Sequence, residues 1–415
     1  MSFGQITTSF ITLLYRVVFS ILSPIFLAVM TFVAIIGGFI KKRKKNSVRK
    51  VVWGIEPLIS YKYWSAAIKR AGFESETIAS HVNSISSQSD YDVVIGNFNV
   101  VAKSPVLIRS FIFHVCYLYV FAKILLTKDI AAFSCTGLVL NHVKLGLINY
   151  KVEAYLLKLA RIHTFVIPYG GDSYVFRNIK NYDWLRGLLI SYPEQALKQD
   201  EIEKRVEYWV KKADTFVPLT SMIFDGFGRF DYVHPNLISI DTDKWKPLAP
   251  LRLKNSGRVA IGHSPNHRGV KGTEFVIRAV EGLIEKGLPV DLVLIEGASN
   301  EEVLRLMQSV IDIHVDQLFA DGYALNAIEA MSCGLVVVGG FGGPTREFYD
   351  TWSVTKECPI VHVSPKTLEI VLETLILDEQ KRAELGDLGR NYVLANHSMD
   401  SFAQIFLSLI DGQSP

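Results

Sequence analysis

The chain has 415 residues, 49% of them hydrophobic and 20% charged, with a net charge of +3. That length exceeds one ordinary α/β core and suits two. The near-neutral charge carries no signal for nucleic acid, and a mean hydropathy of +0.24 is high for a soluble enzyme, so membrane contact is considered first. The four cysteines, Cys116, Cys135, Cys333 and Cys358, form no CxxC pair and no His/Cys metal spacing. This excludes a disulfide framework and a zinc site, and it fits a reducing compartment.

The first element is Val17 to Ile40, a run without a charged side chain. A helix needs about 20 residues to cross a hydrocarbon core, so this run is long enough. Lys41, Lys42, Arg43, Lys44 and Lys45 follow at once, then Arg49 and Lys50. Such a cluster stays on the cytosolic side and attracts anionic headgroups. Pro24, with the earlier apolar stretch Phe10 to Tyr15, leaves a re-entrant hairpin open beside a straight span. A second apolar region, Val106 to Leu126, is interrupted by Arg109, His114 and Lys123. It reads as an amphipathic or buried helix, with a surface-lying membrane helix as the alternative.

From Arg49 the pattern becomes short β-rich runs between helical stretches. Lys50 to Ile55, Tyr91 to Gly96, Ile130 to Ser134 and Thr164 to Pro168 read as strands, with Thr215 to Leu219 and Tyr232 to Pro235 as shorter ones. Tyr61 to Ala71, closed by Gly72, and Tyr150 to Arg161 read as helices. Alternation of this kind implies a doubly wound parallel sheet. Asp241 to Ser256 is polar, proline-containing and unpatterned, and reads as a linker.

The alternation then restarts. Arg258 to His263, Val290 to Glu296, Ile311 to Val315 and Leu335 to Val338 read as strands. Thr273 to Lys286, Glu301 to Val310, Tyr323 to Cys333, Thr367 to Leu377 and Glu379 to Ala395 read as helices. The expected organisation is a membrane anchor and basic flank at 1–45, a Rossmann-like domain at 46–245, a second Rossmann-like domain at 246–395 and a C-terminal helix at 396–415 that packs back on the first domain. Two such domains leave a cleft at the carboxyl ends of their sheets, where open α/β sheets bind ligands.

The most informative stretch is Asp316 to Glu347. Asp321 lies in the loop before a helix, and Glu329 lies on that helix about two turns in. Gly322 lets a ligand approach the backbone. The helix start near Tyr323 and Ala324 offers N–H groups and partial positive charge to a diphosphate. A carboxylate on the helix suits a ribose diol, and one at the loop suits a sugar hydroxyl.

Here the chain resembles the retaining GT-B glycosyltransferases of family 4 (glycosyltransferase group 1), which include sucrose and mannosyl transferases. That family carries an acid, seven residues, and a second acid within EAMACG followed by PVV. This chain has Asp321, then Glu329-Ala-Met-Ser-Cys-Gly334, then Leu335-Val-Val. His263 to Thr273 is similar to the family's loop ending in Lys-Gly. Pro235-Asn236 with Ile240-Asp241 and Trp245 is similar to its PNGID element, and Tyr169-Gly-Gly-Asp172 to its HGxD element. The resemblance covers roughly residues 50 to 400.

The resemblance implies Lys271, Asp321 and Asp172 as catalytic residues. It implies Glu329, Gly322, Tyr323, Ala324, His263, Arg268 and Glu347 as donor-binding ones. Three departures stand out. The first acid is Asp321 where the family has Glu, Tyr169 replaces the usual His, and the family's phosphate-binding Arg has only Arg268 as a substitute. Asp241-Thr-Asp243 spells a DxD, but it falls in the apparent linker. No metal is therefore expected, and Lys271, Arg268 and helix-end amides balance the leaving-group charge.

The expected activity is transfer of a sugar from a nucleotide-sugar donor, with retention, to a lipid-linked or other glycan acceptor in surface polysaccharide, lipopolysaccharide, capsule or glycolipid synthesis. The donor serves as co-substrate, without a further cofactor. The enzyme would sit at a bacterial inner membrane with its catalytic domains on the cytosolic face. A sugar-nucleotide epimerase of the same fold and a non-catalytic partner subunit are the alternatives.

Overall fold

The computed structural model describes residues 3–43, 48–83, 86–143, 147–219, 222, 237–248, 257–320 and 322–412. Its backbone divides into two compact units. Unit 1 is Met1–Ser173 with Glu203–Val217, and unit 2 is Tyr174–Ile202 with Pro218–Pro415.

Unit 1 opens with one helix, Phe3–Arg43, that runs uninterrupted through Pro24. The re-entrant hairpin is therefore not formed. Proline removes a backbone N–H and so frees the carbonyl four residues earlier, that of Ser20. The Ser23 hydroxyl donates to that carbonyl at 2.8 Å and restores the lost bond. Val17, Ile21, Ile25, Val29, Phe32, Ile36 and Phe39 are exposed at helical spacing, so an apolar stripe runs along one face. On the other face Gly37 and Gly38 lie against backbone: an added Cβ would stand 2.1 Å from the Leu125 carbonyl oxygen and 2.5 Å from that of Leu159. Those contacts seat the helix on Val106–Thr127 and Tyr150–Leu159. Among the described residues Ser20–Arg43 and Ile108–Thr127 are long and apolar enough to cross a membrane.

The sheet of unit 1 is parallel, with strands β1 (Lys50–Ile55), β2 (Glu74–Ala79), β3 (Val93–Val94), β4 (Ile130–Phe133), β5 (His163–Val166) and β6 (Thr215–Phe216) in the order β3-β2-β1-β4-β5-β6. The order reverses between β1 and β4, which defines a topological switch point. β1 is apolar and buried on both faces, as parallel strands require. β2 was not legible in the sequence. Its residues ESETIA are polar, and only its last three are buried. It is held in part by Asp92, whose carboxylate accepts from the Thr77 N–H and hydroxyl at 2.8 and 3.0 Å. The expected strand Tyr91 to Gly96 shortens to β3, because the chain turns into a 3-10 helix at Ile95–Asn97.

Unit 2 carries a second parallel sheet, β7 (Val259–His263), β8 (Val290–Leu294), β9 (Ile313–Val315), β10 (Val336–Gly339) and β11 (Val361–His362), in the order β11-β10-β9-β7-β8. Its switch point lies between β7 and β9. Val276, Val280 and Leu283 of the helix Thr273–Glu285 pack on Ile261, Ile313 and Val315 of the sheet.

Residues 174–202 group with this second unit, whereas the sequence pattern drew one boundary at 245/246. The cause is a helix, Tyr182–Ser191, that the periodicity did not announce. Its Trp184 and Leu188 pack with Ala320 and Phe319, and Asn181 donates to the Phe319 carbonyl at 2.9 Å. The expected linker also differs from its reading where it is described, at residues 241–248. Trp245 is fully buried, and Arg390 donates to the carbonyls of Trp245 and Thr242 at 2.8 and 3.0 Å. Residues 249–256, the run Tyr232 to Pro235 and Asn236 lie outside the described residues.

Candidate functional site

The switch point of unit 2 is built from two chain ends that the sheet brings side by side. β7 ends at His263 and leads into a short helical turn, Arg268–Lys271. β9, paired to β7 through Ile261 and Ile313, ends at Val315 and leads into Asp316. There the Lys271 ammonium donates to Asp316 Oδ1 at 2.7 Å, and both side chains are buried. Asp316 Oδ2 accepts from the Ala324 N–H at 3.3 Å, at the N-terminal end of the helix Leu325–Ser332.

The Asp316 carboxylate therefore stands where the sequence suggested an open seat for a diphosphate. Burial raises the cost of its charge. The Lys271 charge and hydrogen bond, with His314 and the Ala324 N–H, outweigh that cost and hold the carboxyl below its usual range. Lys271 spends one of three N–H donors on Asp316, and among the described residues no other side chain accepts from the remaining two.

Glu329 lies in the second turn of the same helix and is also buried. Its partners are uncharged: Asn300 and Asn326 each donate an amide N–H at 3.4 Å. Burial pushes its carboxyl up to about 8, and the two amides and Lys244 only partly offset this. Glu329 is therefore largely protonated at neutral pH, a donor as well as an acceptor.

His263 is wholly committed. One ring nitrogen bonds the Val315 carbonyl at 2.8 Å and the other the Thr273 hydroxyl at 2.9 Å. A carbonyl only accepts, so Nδ1 carries the proton and Nε2 accepts from Thr273. Burial pushes its pKa down to about 4, so the ring is neutral and braces β7 against β9.

Other expected site residues hold different positions. Gly322 has a φ of +93°, a conformation that favours glycine, and its carbonyl accepts from Gln317 at 2.8 Å. The Tyr323 side chain turns into the core, its hydroxyl 2.8 Å from His397 Nε2 and 3.0 Å from the Tyr392 hydroxyl. Arg268 is exposed and paired with Glu274 and Glu296 at 2.7 and 3.0 Å. Glu347 is exposed on the helix Gly343–Trp352, for which the sequence pattern drew no element. Asp321 lies outside the described residues. Asp241 closes a turn, accepting from the Asp243 N–H at 3.0 Å.

Asp172 belongs to unit 1, beyond the end of β5. Its buried carboxylate accepts from the backbone N–H groups of Cys135, Tyr169 and Gly170 at 2.8, 3.0 and 2.9 Å. Burial pushes its carboxyl above the usual range, opposed by those three N–H groups and Arg205. Glu56, the residue after β1, stands at that unit's switch point with His142 Nε2 at 3.8 Å. Burial first, then the Asp172 charge, raises its carboxyl, and a hydrogen bond from Thr136 opposes the shift.

Sequence reasoning missed Asp316, Glu56, Asn300 and Asn326. Asp316 and Glu56 had a signal: each is the first charged residue after a buried strand, the position that an open α/β sheet offers to ligands. The two asparagines had none.

No family model and no curated protein sequence matches the chain. Solved structures do. HepE from Anabaena in complex with UDP-glucose superimposes with a TM-score of 0.55 at 14% identity, over 88% of this chain and 100% of that one. HepE in complex with UDP and glucose does so with a TM-score of 0.55 at 13% identity over the same shares. Sucrose-phosphate synthase from Thermosynechococcus elongatus gives 0.56 at 14% identity, over 88% of this chain and 98% of that one. The two parallel-sheet α/β units thus have the GT-B fold of these glycosyltransferases, preceded by an apolar N-terminal helix.

Proposed function

We propose that the chain is a glycosyltransferase that moves a sugar from a nucleotide-sugar donor to an acceptor hydroxyl. The observation that carries this reading is the Lys271–Asp316 pair, buried at the switch point of unit 2 and joined to a helix start, with Glu329 two turns along. The similar structures include HepE, solved with UDP-glucose and with UDP and glucose, and a sucrose-phosphate synthase.

In this reading Asp316 is a positioning residue. It fixes the Lys271 ammonium so that its remaining N–H groups face the diphosphate, whose charge grows as the sugar leaves. Glu329 holds the ribose diol, and Gly322 admits the donor to the backbone. The bond from C1 to the diphosphate oxygen breaks, its electron pair leaving with the diphosphate. The acceptor oxygen bonds to C1 from the same face, and its proton passes to the departing phosphate. That retaining course, like hexosyl transfer, is the finer part of the proposal. The acceptor would meet unit 1 at the edge marked by Glu56 and Asp172.

The exposed apolar stripe from Val17 to Phe39 and the basic residues after it support a membrane anchor with the catalytic units on the cytosolic face. A lipid-linked acceptor and a role in surface polysaccharide or glycolipid synthesis follow from that anchor. With the N–H groups of Lys271 set against the diphosphate, activity without a divalent metal is expected.

The test is turnover with a panel of UDP-, GDP- and ADP-sugars, with and without EDTA. Slow release of one nucleoside diphosphate, insensitive to EDTA, supports the proposal. Interconversion of the donor sugar without release would replace it with an epimerase. Complete, reversible loss with EDTA would promote Asp241 and Asp243 to metal ligands.

A further inference from the structure

A cavity in unit 2 borders the turn Arg268–Lys271 through Arg268, Gly269 and Gly272, but neither Lys271 nor Asp316 lines it. It measures 630 Å³ and runs between the helix Tyr182–Ser191, the start of Thr273–Glu285 and the loop Ser364–Lys366. Its apolar wall includes Ile190, Phe275, Phe319 and Pro365. Phe275 and Phe319 meet edge to face, with ring centroids 5.6 Å apart.

The charges on its lining are unequal in kind. Arg268 is spent on Glu274 and Glu296. Arg186 and Lys366 are exposed and make no ion pair or hydrogen bond among the described residues. Arg278 donates only to the Glu274 carbonyl, at 3.3 Å, and lies over the Phe275 ring. Three cations without a carboxylate partner thus share a cavity with aromatic and aliphatic walls and with one further carboxylate, Asp183, which leaves the lining net positive.

The adjoining surface continues the apolar wall outward. Trp184 and Leu188 bury one face of the helix Tyr182–Ser191. Tyr182, Arg186, Leu189 and Ile190 recur at helical spacing on the other, with Tyr182 82% and Ile190 66% exposed. Leu197, just beyond, is 89% exposed. A soluble face seldom leaves such residues together uncovered.

We propose that this groove binds an anionic phospholipid, its phosphate held by Arg186, Arg278 and Lys366 and its acyl chains laid along Ile190, Phe275 and Phe319. Charge complementarity selects the headgroup, and cations beside exposed aliphatic and aromatic side chains are the composition of a membrane-surface contact. A nucleotide fits less well. The Phe275 face, on which a base would stack, is already covered by Arg278. This contact is additional to donor and acceptor, and it would fix the orientation of unit 2 at a bilayer.

The test uses the full chain in amphipol, with soluble short-chain probes measured by calorimetry. Dihexanoyl phosphatidylglycerol should bind about ten-fold or more tighter than dihexanoyl phosphatidylcholine, which keeps the tails and phosphate without net charge, and than glycerol 3-phosphate, which lacks the tails. Arg186→Ala with Lys366→Ala should remove that preference, while nucleotide-sugar binding stays unchanged. Ile190→Ser should weaken the lipid and leave glycerol 3-phosphate alone. Equal binding of the two lipids, untouched by the double variant, would leave a merely apolar groove and overturn the proposal. Glycerol 3-phosphate binding as tightly as the lipid would reduce it to a bare anion site. Loss of nucleotide binding in the double variant, with no lipid bound, would make the groove part of the donor site and overturn it as well.

Discussion

Asp316 and Glu329 are buried carboxylates of the same unit, one at the end of β9 and the other on the helix that follows. Their surroundings drive them apart. Asp316 has an ammonium at 2.7 Å and a helix N–H, and it stays ionised. Glu329 has two amides at 3.4 Å and titrates near 8. Burial raises the cost of both charges, so the difference comes from the partner. The loop end is a preassembled charge pair suited to a diphosphate. The helix position is a neutral hydrogen-bonding group suited to a diol.

The harshest way to break this contrast is to remove one member of the pair. Asp316→Asn leaves the buried Lys271 ammonium uncompensated and should cost about 3–5 kcal/mol of stability. Replacing both partners, Lys271→Met with Asp316→Leu, should recover most of that loss while abolishing turnover. Urea unfolding of the three proteins measures the first part, and donor consumption the second. Equal stability of Asp316→Asn and wild type would show that the pair is not buried in solution.

A smaller effect separates the two residues in catalysis. Glu329→Ala should raise the KM for donor more than it lowers kcat, because the proposed ribose contact would hold before and during transfer. Hydrogen bonds between neutral groups are worth about 0.5–1.5 kcal/mol each, or about two- to ten-fold in affinity. Lys271→Met should lower kcat as well, since its partner gains charge in the transition state. If neither variant changes donor affinity or turnover by more than about two-fold, well under 1 kcal/mol, the donor is held elsewhere.

The smallest effect sharpens the difference in protonation. Unfolded, Glu329 titrates near 4.5; folded, it titrates near 8. Between those values the folded chain holds a proton that the unfolded chain has released, so stability is present at low pH and lost as pH rises through about 8. The slope is at most about 1.4 kcal/mol per pH unit. Glu153, pushed up to about 7, contributes in the same sense. The informative quantity is therefore the difference between wild type and Glu329→Gln across that window. An unchanged difference would mean that Glu329 is ionised in the folded protein.

The candidate site was legible in part, and the reason lies in what each residue touches. Lys271 and Glu329 were visible because their spacing and neighbours follow a known pattern. Tyr323 and His263 belong to the same pattern, yet their side-chain polar atoms turn inward to Tyr392, His397, Val315 and Thr273. Those partners are 10 to 74 residues distant along the chain, so no local spacing could reveal that the groups were already satisfied. Asp316 was overlooked for the opposite reason. Its role depends on β7 and β9 being neighbours, although β8 lies between them in the chain.

What the sequence by itself determined was the alternation of elements and the long apolar helix. Strands such as KVVWGI and VVVG are apolar enough to be buried on both faces, and helices such as Thr273–Glu285 carry one apolar stripe. These are local properties, fixed by composition and period. The tertiary structure alone decided which segment serves which unit, and which polar groups remain open to a ligand. The helix Tyr182–Ser191 joins unit 2 through Trp184 and Leu188, residues whose partners lie far along the chain. Ser23 keeps a proline-containing helix intact through one hydroxyl. The protonation of two carboxylates follows from one lysine being within reach of one of them and not the other. Burial and charge act through space, and a pattern along the chain records them only when the partners happen to be near in sequence.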